Sequence, residues 1–228
     1  MSHHHDGTAE PGGADEVGAA HDALYTGPVG LPPDGSSPAV GSVRHATVIV
    51  LSGPPGAGKS TIARLLAPSF PRAVHLHTDD FWHAIASGGI PPYLPESDHQ
   101  NQVVGEAIVA AATVYAKGGF TVVVDGVVGP WMLRHYRDAM TRHPDLAVHY
   151  VVLRPAREET LVRAQSRSAD DALVDEEAIL SLWDQFRDLG ALEQHVIDTT
   201  GHTPAETLIA VSRGVTGGTH RLRLAESG

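Results

Sequence analysis

The sequence predicts an α/β three-layer sandwich, with a five-stranded parallel sheet, helices on both faces and a small helical lid. Three observations carry this expectation. Short β-branched runs alternate with stretches of helical periodicity, a helical stretch separates each strand from the next, and the first strand opens directly into a Gly/Pro turn and a helix.

Thr47-Val48-Ile49-Val50-Leu51 suits a strand buried on both faces, and the turn after it leads into a helix over residues 60–67. Residues 73–77 form the second strand. Ser97-Asp98-His99-Gln100 reads as a capping box, after which Val103, Val104, Ala107, Ile108, Ala111, Val114 and Tyr115 recur at helical spacing until Gly118-Gly119. The third strand covers residues 120–124. A helix over 130–142, a strand over 147–153, a helix over 155–167 and another over 176–189 follow, the last capped by Asp175 and ended by Gly190. Residues 195–198 are the final strand, and Thr203-Pro204-Ala205-Glu206 caps the final helix.

The 228 residues contain 16 Lys and Arg against 27 Asp and Glu, a formal net charge of −11. Such a chain repels phosphate backbones and anionic lipid heads, which argues against nucleic-acid and membrane partners. A composition of 42% hydrophobic and 19% charged residues is that of a globular domain, and the lack of cysteine removes disulfides, cysteine nucleophiles and thiolate metal sites. No apolar stretch approaches the roughly 20 residues of a membrane-spanning helix, and no signal-peptide pattern opens the chain, so a cytoplasmic location is expected. Residues 1–43 hold no Lys or Arg, are rich in Gly, Pro, Ser and Ala, and lack a period, which predicts a disordered tail. Residues 44–214 make the domain, and residues 215–228 read as a second short tail. His3-His4-His5 is open to metal binding, although such a run on a tail more often binds nothing.

Gly53-Pro54-Pro55-Gly56-Ala57-Gly58-Lys59-Ser60-Thr61 matches G-x-x-x-x-G-K-[ST] between a β-branched strand and a helix. Glycines there let backbone N–H groups converge on phosphate oxygens at a helix N-terminus; Lys59 reaches the β and γ phosphates, and Ser60 offers a hydroxyl to Mg²⁺. The chain has two lysines, Lys59 and Lys117, against 14 arginines, so a lysine in this loop stands out from the composition. The expected ligands are ATP and Mg²⁺, and the sandwich is P-loop NTPase-like. A dinucleotide-binding loop is the competing pattern, because Asp79 and Asp80 follow at about the ribose-binding distance, but its third glycine position is Thr61 here.

Asp79 follows the second strand and emerges at the carboxyl edge of the sheet, where a carboxylate can orient an acceptor hydroxyl or take its proton. The other reading of Asp79 and Asp80 is as caps of the short helix carrying Phe81 and Trp82. Val122-Val123-Val124-Asp125 has the form of a strand ending in a Mg²⁺-organising carboxylate, or of a strand that merely ends in Asp. Glycine-hinged loops around residues 88–95 and 126–131 carry Tyr93 and Trp131; with Asp80 and Arg134 these are candidates for contact with a second substrate, against plain packing. Arg163 and Arg167 share a helix face beside the acid-rich residues 168–175, which read as a mobile lid, and are candidates for stabilising transferred phosphate. Glu159, four residues before Arg163, offers an ordinary ion pair instead. His75 and His77 share one face of the second strand with His83 nearby, a metal pattern that lacks a further ligand.

The phosphate loop, His77-Thr78-Asp79-Asp80-Phe81-Trp82, Val123-Val124-Asp125-Gly126, the two-arginine helix and Val196-Ile197-Asp198-Thr199-Thr200-Gly201 together resemble the small P-loop kinases of the shikimate, gluconate and adenylate kinase group. Within it the likeness is greatest to chloramphenicol phosphotransferase and related AAA-labelled ATP-binding proteins, over about residues 48–211. The resemblance implies that Asp79 is the catalytic aspartate, Lys59 and Ser60 the ATP and Mg²⁺ residues, Arg163 and Arg167 lid arginines, and Thr199 to Gly201 the loop beside the adenine. Residues 90–95 and the Trp131 loop depart from the antibiotic-binding parts of that enzyme, so the acceptor stays open. The implied function is transfer of the γ-phosphoryl group of ATP to a hydroxyl of a small metabolite or antibiotic. The alternatives are an ATP-hydrolysing switch or accessory protein, and a nucleotide or nucleic-acid-end kinase.

Overall fold

Aliphatic side chains on both faces of the central strands build a parallel sheet that helices must cover. The computed structural model describes residues 46–166 and 175–224, all within one unit, Val43–Gly228. Residues 1–45, 167–174 and 225–228, and with them the expected N-terminal tail, Arg167 and most of the expected lid, lie outside the described residues. The strands are β1 (Ala46–Ser52), β2 (Ala73–His77), β3 (Thr121–Asp125), β4 (Leu146–Arg154) and β5 (Val196–Asp198), all parallel, in the order β2-β3-β1-β4-β5. The helices are α1 (Lys59–Leu66), α2 (Thr78–His83), α3 (Asp98–Lys117), α4 (Leu133–Arg142), α5 (Arg157–Gln165), α6 (Glu176–Asp184) and α7 (Pro204–Gly217). The α/β sandwich expected from the sequence is thus the fold.

Strand alternation divides the core in two. Val48 and Val50 of β1, Val122 and Val124 of β3 and Val148 and Tyr150 of β4 pack with Val104 and Ile108 of α3 and Leu133 and Tyr136 of α4. The intervening residues Ile49, Leu51, Val123, Val151 and Leu153 pack with Ile62 and Leu66 of α1 and Val211 of α7 on the other face. Register sets the functional edge: Leu51 pairs with Asp125, and Asp125 with His77, so β1, β3 and β2 end level with one another. Among the described residues no helix is long and apolar enough to cross a membrane.

Several boundaries differ from the sequence reading. Ser97 stands before α3 but makes no cap: its hydroxyl donates to the carbonyls of Leu94 (2.6 Å) and Pro92 (3.0 Å), and Gln100 bonds Ile90 instead. The Asp175 cap is present, its side chain accepting from Ala178 N at 2.8 Å, yet α6 stops at Asp184. Thr203 and Glu206 form the expected capping box of α7. Residues 215–228 are not simply a tail. Helix α7 runs to Gly217, Tyr150 N donates to His220 O (2.9 Å), Leu222 N donates to Val148 O (2.8 Å), and Leu222 is 2% exposed. Residues 220–222 therefore lie antiparallel to β4, where the short β5 does not reach.

Candidate active site

The turn after β1 takes shapes that only glycine adopts readily. Gly53 has φ +137°, and a Cβ there would meet Leu153 O at 2.1 Å; Gly56 has φ +83°, and a Cβ would meet Thr160 O at 2.4 Å. The loop is thereby pressed between the ends of β4 and α5 and delivered to the N-terminus of α1, where unpaired N–H groups favour an anion. Lys59 opens that helix, is 6% exposed, and folds across the loop so that Nζ donates to Pro54 O at 2.9 Å. Ser60 follows, and its hydroxyl donates to Asp125 Oδ2.

Asp125 is fully buried at the end of β3. Two further donors hold it: His75 Nε2 lies 2.5 Å from Oδ1, and His77 Nδ1 lies 3.1 Å from Oδ2. Burial pushes this carboxyl up, but hydrogen bonds from His77, Ser60 and His75 outweigh it and bring the pKa down to about 2. The other face of the same imidazole points to Asp79, with His77 Nε2 3.4 Å from Oδ2. The hydrogen bond to Asp125, then that to Asp79, raise His77 to about 10, so the ring is a cation at neutral pH and donates from both nitrogens. Asp79 is held below its ordinary value chiefly by His77, against its partial burial. Its side chain is 60% exposed.

A cleft of about 1420 Å³ joins these residues. Lys59, Ser60, Thr61 and Arg64 line it from the phosphate loop and α1; His77, Asp79 and Trp82 line it from β2 and α2; Tyr93 and Trp131 line it from the two glycine-hinged loops. Asp79 does not cap α2, whose first position is preceded by His77 with no side-chain cap bond. Asp80 is exposed and outside the cleft lining. Arg134 also points elsewhere, into a groove between α3 and α4 with Glu106, Asp138 and Arg142, because its face of α4 turns away from the sheet edge. Arg163 pairs with Glu159, and its Nη2 donates to His202 O at 3.2 Å; it does not line the cleft. Thr199 is buried after β5, and Gly201 N donates to Glu159 Oε2 at 2.9 Å, so α5 is tied to this turn.

Sequence reasoning missed the pairing of His75 and His77 with Asp125. Both imidazoles sit on one face of β2, a visible alternation, but their target depends on β3 being the neighbouring strand. It also missed Arg64, one helical turn after Ser60.

The strand order, the loop after β1 and the carboxylate ending β3 give the chain the fold of the small P-loop kinases. A family model described as AAA domain matches residues 48–189, more than half of the chain, and the chain belongs to that family. Among solved structures, the gluconokinase of Sinorhizobium meliloti 1021 superposes with a TM-score of 0.57 at 17% identity, over 77% of this chain and 95% of that one. The tunicamycin resistance protein of Deinococcus radiodurans gives 0.55 at 17% identity, over 78% and 98%. The shikimate kinase of Acinetobacter baumannii gives 0.51 at 19% identity, over 75% and 94%. At these identities the likeness is one of fold. No curated protein matches the chain.

Proposed function

We propose that the chain is an ATP- and Mg²⁺-dependent phosphotransferase that moves the γ-phosphoryl group to a hydroxyl of a small molecule. The observation that carries this is the convergence, at one edge of the sheet, of a phosphate loop, a buried carboxylate bonded to the loop serine and a second, exposed carboxylate facing the same cleft.

The backbone of residues 53–61 holds the phosphates, and Lys59 neutralises charge on the β and γ groups. The donor set suits Mg²⁺: the Ser60 hydroxyl and the Asp125 carboxylate are hard oxygen ligands already in contact and would hold the ion. When bound, the ion would offset charge on the transferred group. The acceptor oxygen attacks the γ-phosphorus, the bond to the β–γ bridging oxygen breaks, ADP leaves, and the hydroxyl proton passes to Asp79. Because His77 holds Asp79 in its ionised form, that carboxylate is a weak base. Its main work is to orient the acceptor, and it takes the proton late, as a loose transition state allows. The resemblance assigns Arg163 and Arg167 to the transferring phosphate; Arg163 would have to leave its pair with Glu159 to reach it. Thr199 and Gly201 flank the adenine.

The test is acceptor-dependent ADP release by the full chain with Mg²⁺ and ATP over a panel of hydroxyl compounds. Lys59→Ala should abolish turnover while the folded state persists, and turnover near the wild-type level in that variant would overturn the assignment. ADP release that never exceeds the water-driven background would favour a hydrolytic switch.

A further inference from the structure

The cleft changes character away from the phosphate loop. Segments around α2, residues 85–93 and residues 126–132 line it with Trp82, Ile85, Ile90, Tyr93, Trp131 and Met132. The three aromatic rings come from three different segments, and each segment is braced before any ligand arrives. Trp82 Nε1 donates to Asn101 Oδ1 at 2.9 Å. Gln100 accepts from Ile90 N (2.8 Å) and donates to Ile90 O (2.7 Å), while Asn101 donates to Pro92 O (2.8 Å), which pins the Tyr93 loop to α3. Trp131 lies over Gly129, where a Cβ would come within 2.1 Å of its ring, and meets Phe186 edge-on with centroids 6.3 Å apart. A wall fixed in this way loses little freedom when a ligand is seated on it.

The charges are distributed unevenly along the same cleft. Among the described residues its Lys and Arg lining is Lys59 and Arg64, both on the phosphate-loop side, and its acidic lining is Asp79. Three imidazoles also line it: His75 is engaged with Asp125, His77 is shared between Asp125 and Asp79, and His83 stands at the end of α2. The lining residues from α6 and its C-terminal end, Ala178, Ser181, Leu182 and Gln185, carry no charge. Among the described residues, an anionic acceptor seated with its hydroxyl at Asp79 would lose hydration beside a carboxylate and aromatic faces and meet no guanidinium or ammonium on that wall. An uncharged ring has the opposite balance, since stacking and apolar burial favour it and nothing ionic is stranded.

We infer that the acceptor is an uncharged hydroxyl compound bearing a flat ring, taken up against Trp82, Tyr93 and Trp131, and not a carboxylated or phosphorylated one. The inference rests on the phosphotransferase reading above.

The experiment uses the full chain saturated with Mg²⁺ and a non-hydrolysable ATP analogue, and matched pairs of probes: 1,4-benzenedimethanol against 4-(hydroxymethyl)benzoate, and uridine against uridine 5′-monophosphate. Calorimetry reads affinity for each, and ADP release with ATP reads transfer. The neutral member of a pair should bind at least tenfold more tightly than its anionic partner, and Trp131→Ala and Tyr93→Ala should each weaken the neutral member at least fivefold. Both side chains are partly exposed, so these variants should fold. Equal or tighter binding of the anionic members, no binding of any neutral member at millimolar concentration, or neutral binding indifferent to both substitutions would overturn the inference. The two readings fail differently. Transfer to an anionic member supports a phosphotransferase and overturns this substrate class, whereas tight neutral binding with no transfer supports the class and counts against the phosphotransferase.

Discussion

Asp79→Asn exchanges a carboxylate for an amide of the same shape and so isolates the charge. The side chain is 60% exposed, its ion pair with His77 is long at 3.4 Å, and no helix cap depends on it. Loss of that pair should therefore cost less than about 1 kcal/mol of stability. The kinetic effect is on a different scale. A carboxylate that orients the acceptor and takes its proton contributes on the order of 100-fold to 10,000-fold, equivalent to about 3–5 kcal/mol of barrier. Its contribution arises in the transition state, so the turnover number should fall while ATP affinity stays near normal. The assay compares turnover number, ATP dissociation constant and melting temperature for the two proteins with an acceptor from the panel. Equal turnover numbers would refute the catalytic assignment and move the search to another group in the cleft. A stability loss well above about 1 kcal/mol would show that the exposed pair with His77 matters to the fold.

Two other perturbations test the structure itself. The folded pKa of His77 is raised to about 10 from 6.5, so its contribution to stability is full below pH 6.5 and is lost as pH rises toward 10. His77→Gln should cost about 1–2 kcal/mol at pH 7, discounted for an imidazole about a third exposed, and urea denaturation should show the gap to wild type closing between pH 7 and 10; a gap independent of pH would refute the pairing. Leu222→Ala should cost about 2–4 kcal/mol in denaturant melts, because it empties a buried site against β4. A loss near zero would return residues 220–222 to the status of a tail.

What the sequence revealed follows from what is local in it. The β-branched run before Gly53 and the glycine spacing of the loop are contiguous signals, and the structure has the strand and the turn where they point. The capping box at Ser97 failed because a hydroxyl chooses among nearby acceptors, and the bent Pro92–Leu94 carbonyls compete successfully with the helix N-terminus. The C-terminal bridge to β4 was invisible because one buried leucine after a glycine pair has no periodicity to read; only the open flank of β4 gives it a partner. The His75 and His77 contacts with Asp125 and the outward turn of Arg134 depend on strand order and helix rotation, which no local pattern encodes.

Two aspartates end up at the same sheet edge with opposite environments, and the fold explains why. Asp125 closes β3, whose neighbours on both sides are strands, so its side chain is enclosed and must be satisfied by donors; Ser60, His75 and His77 supply them from three directions. A carboxylate so held is fixed in charge and position, the property that an ion-organising group needs. Asp79 lies two residues beyond the end of β2, in the first turn of α2, and reaches the open cleft with only long contacts behind it, to His77 at 3.4 Å and the Thr78 hydroxyl at 3.5 Å. It is ionised and exposed enough to meet a ligand. His77 touches both, so a single imidazolium keeps the two charges from repelling each other while leaving their duties separate. Replacing either acid by the other's environment would lose the division: a buried Asp79 could not reach an acceptor, and an exposed Asp125 would have no reason to stay aligned with the phosphate loop.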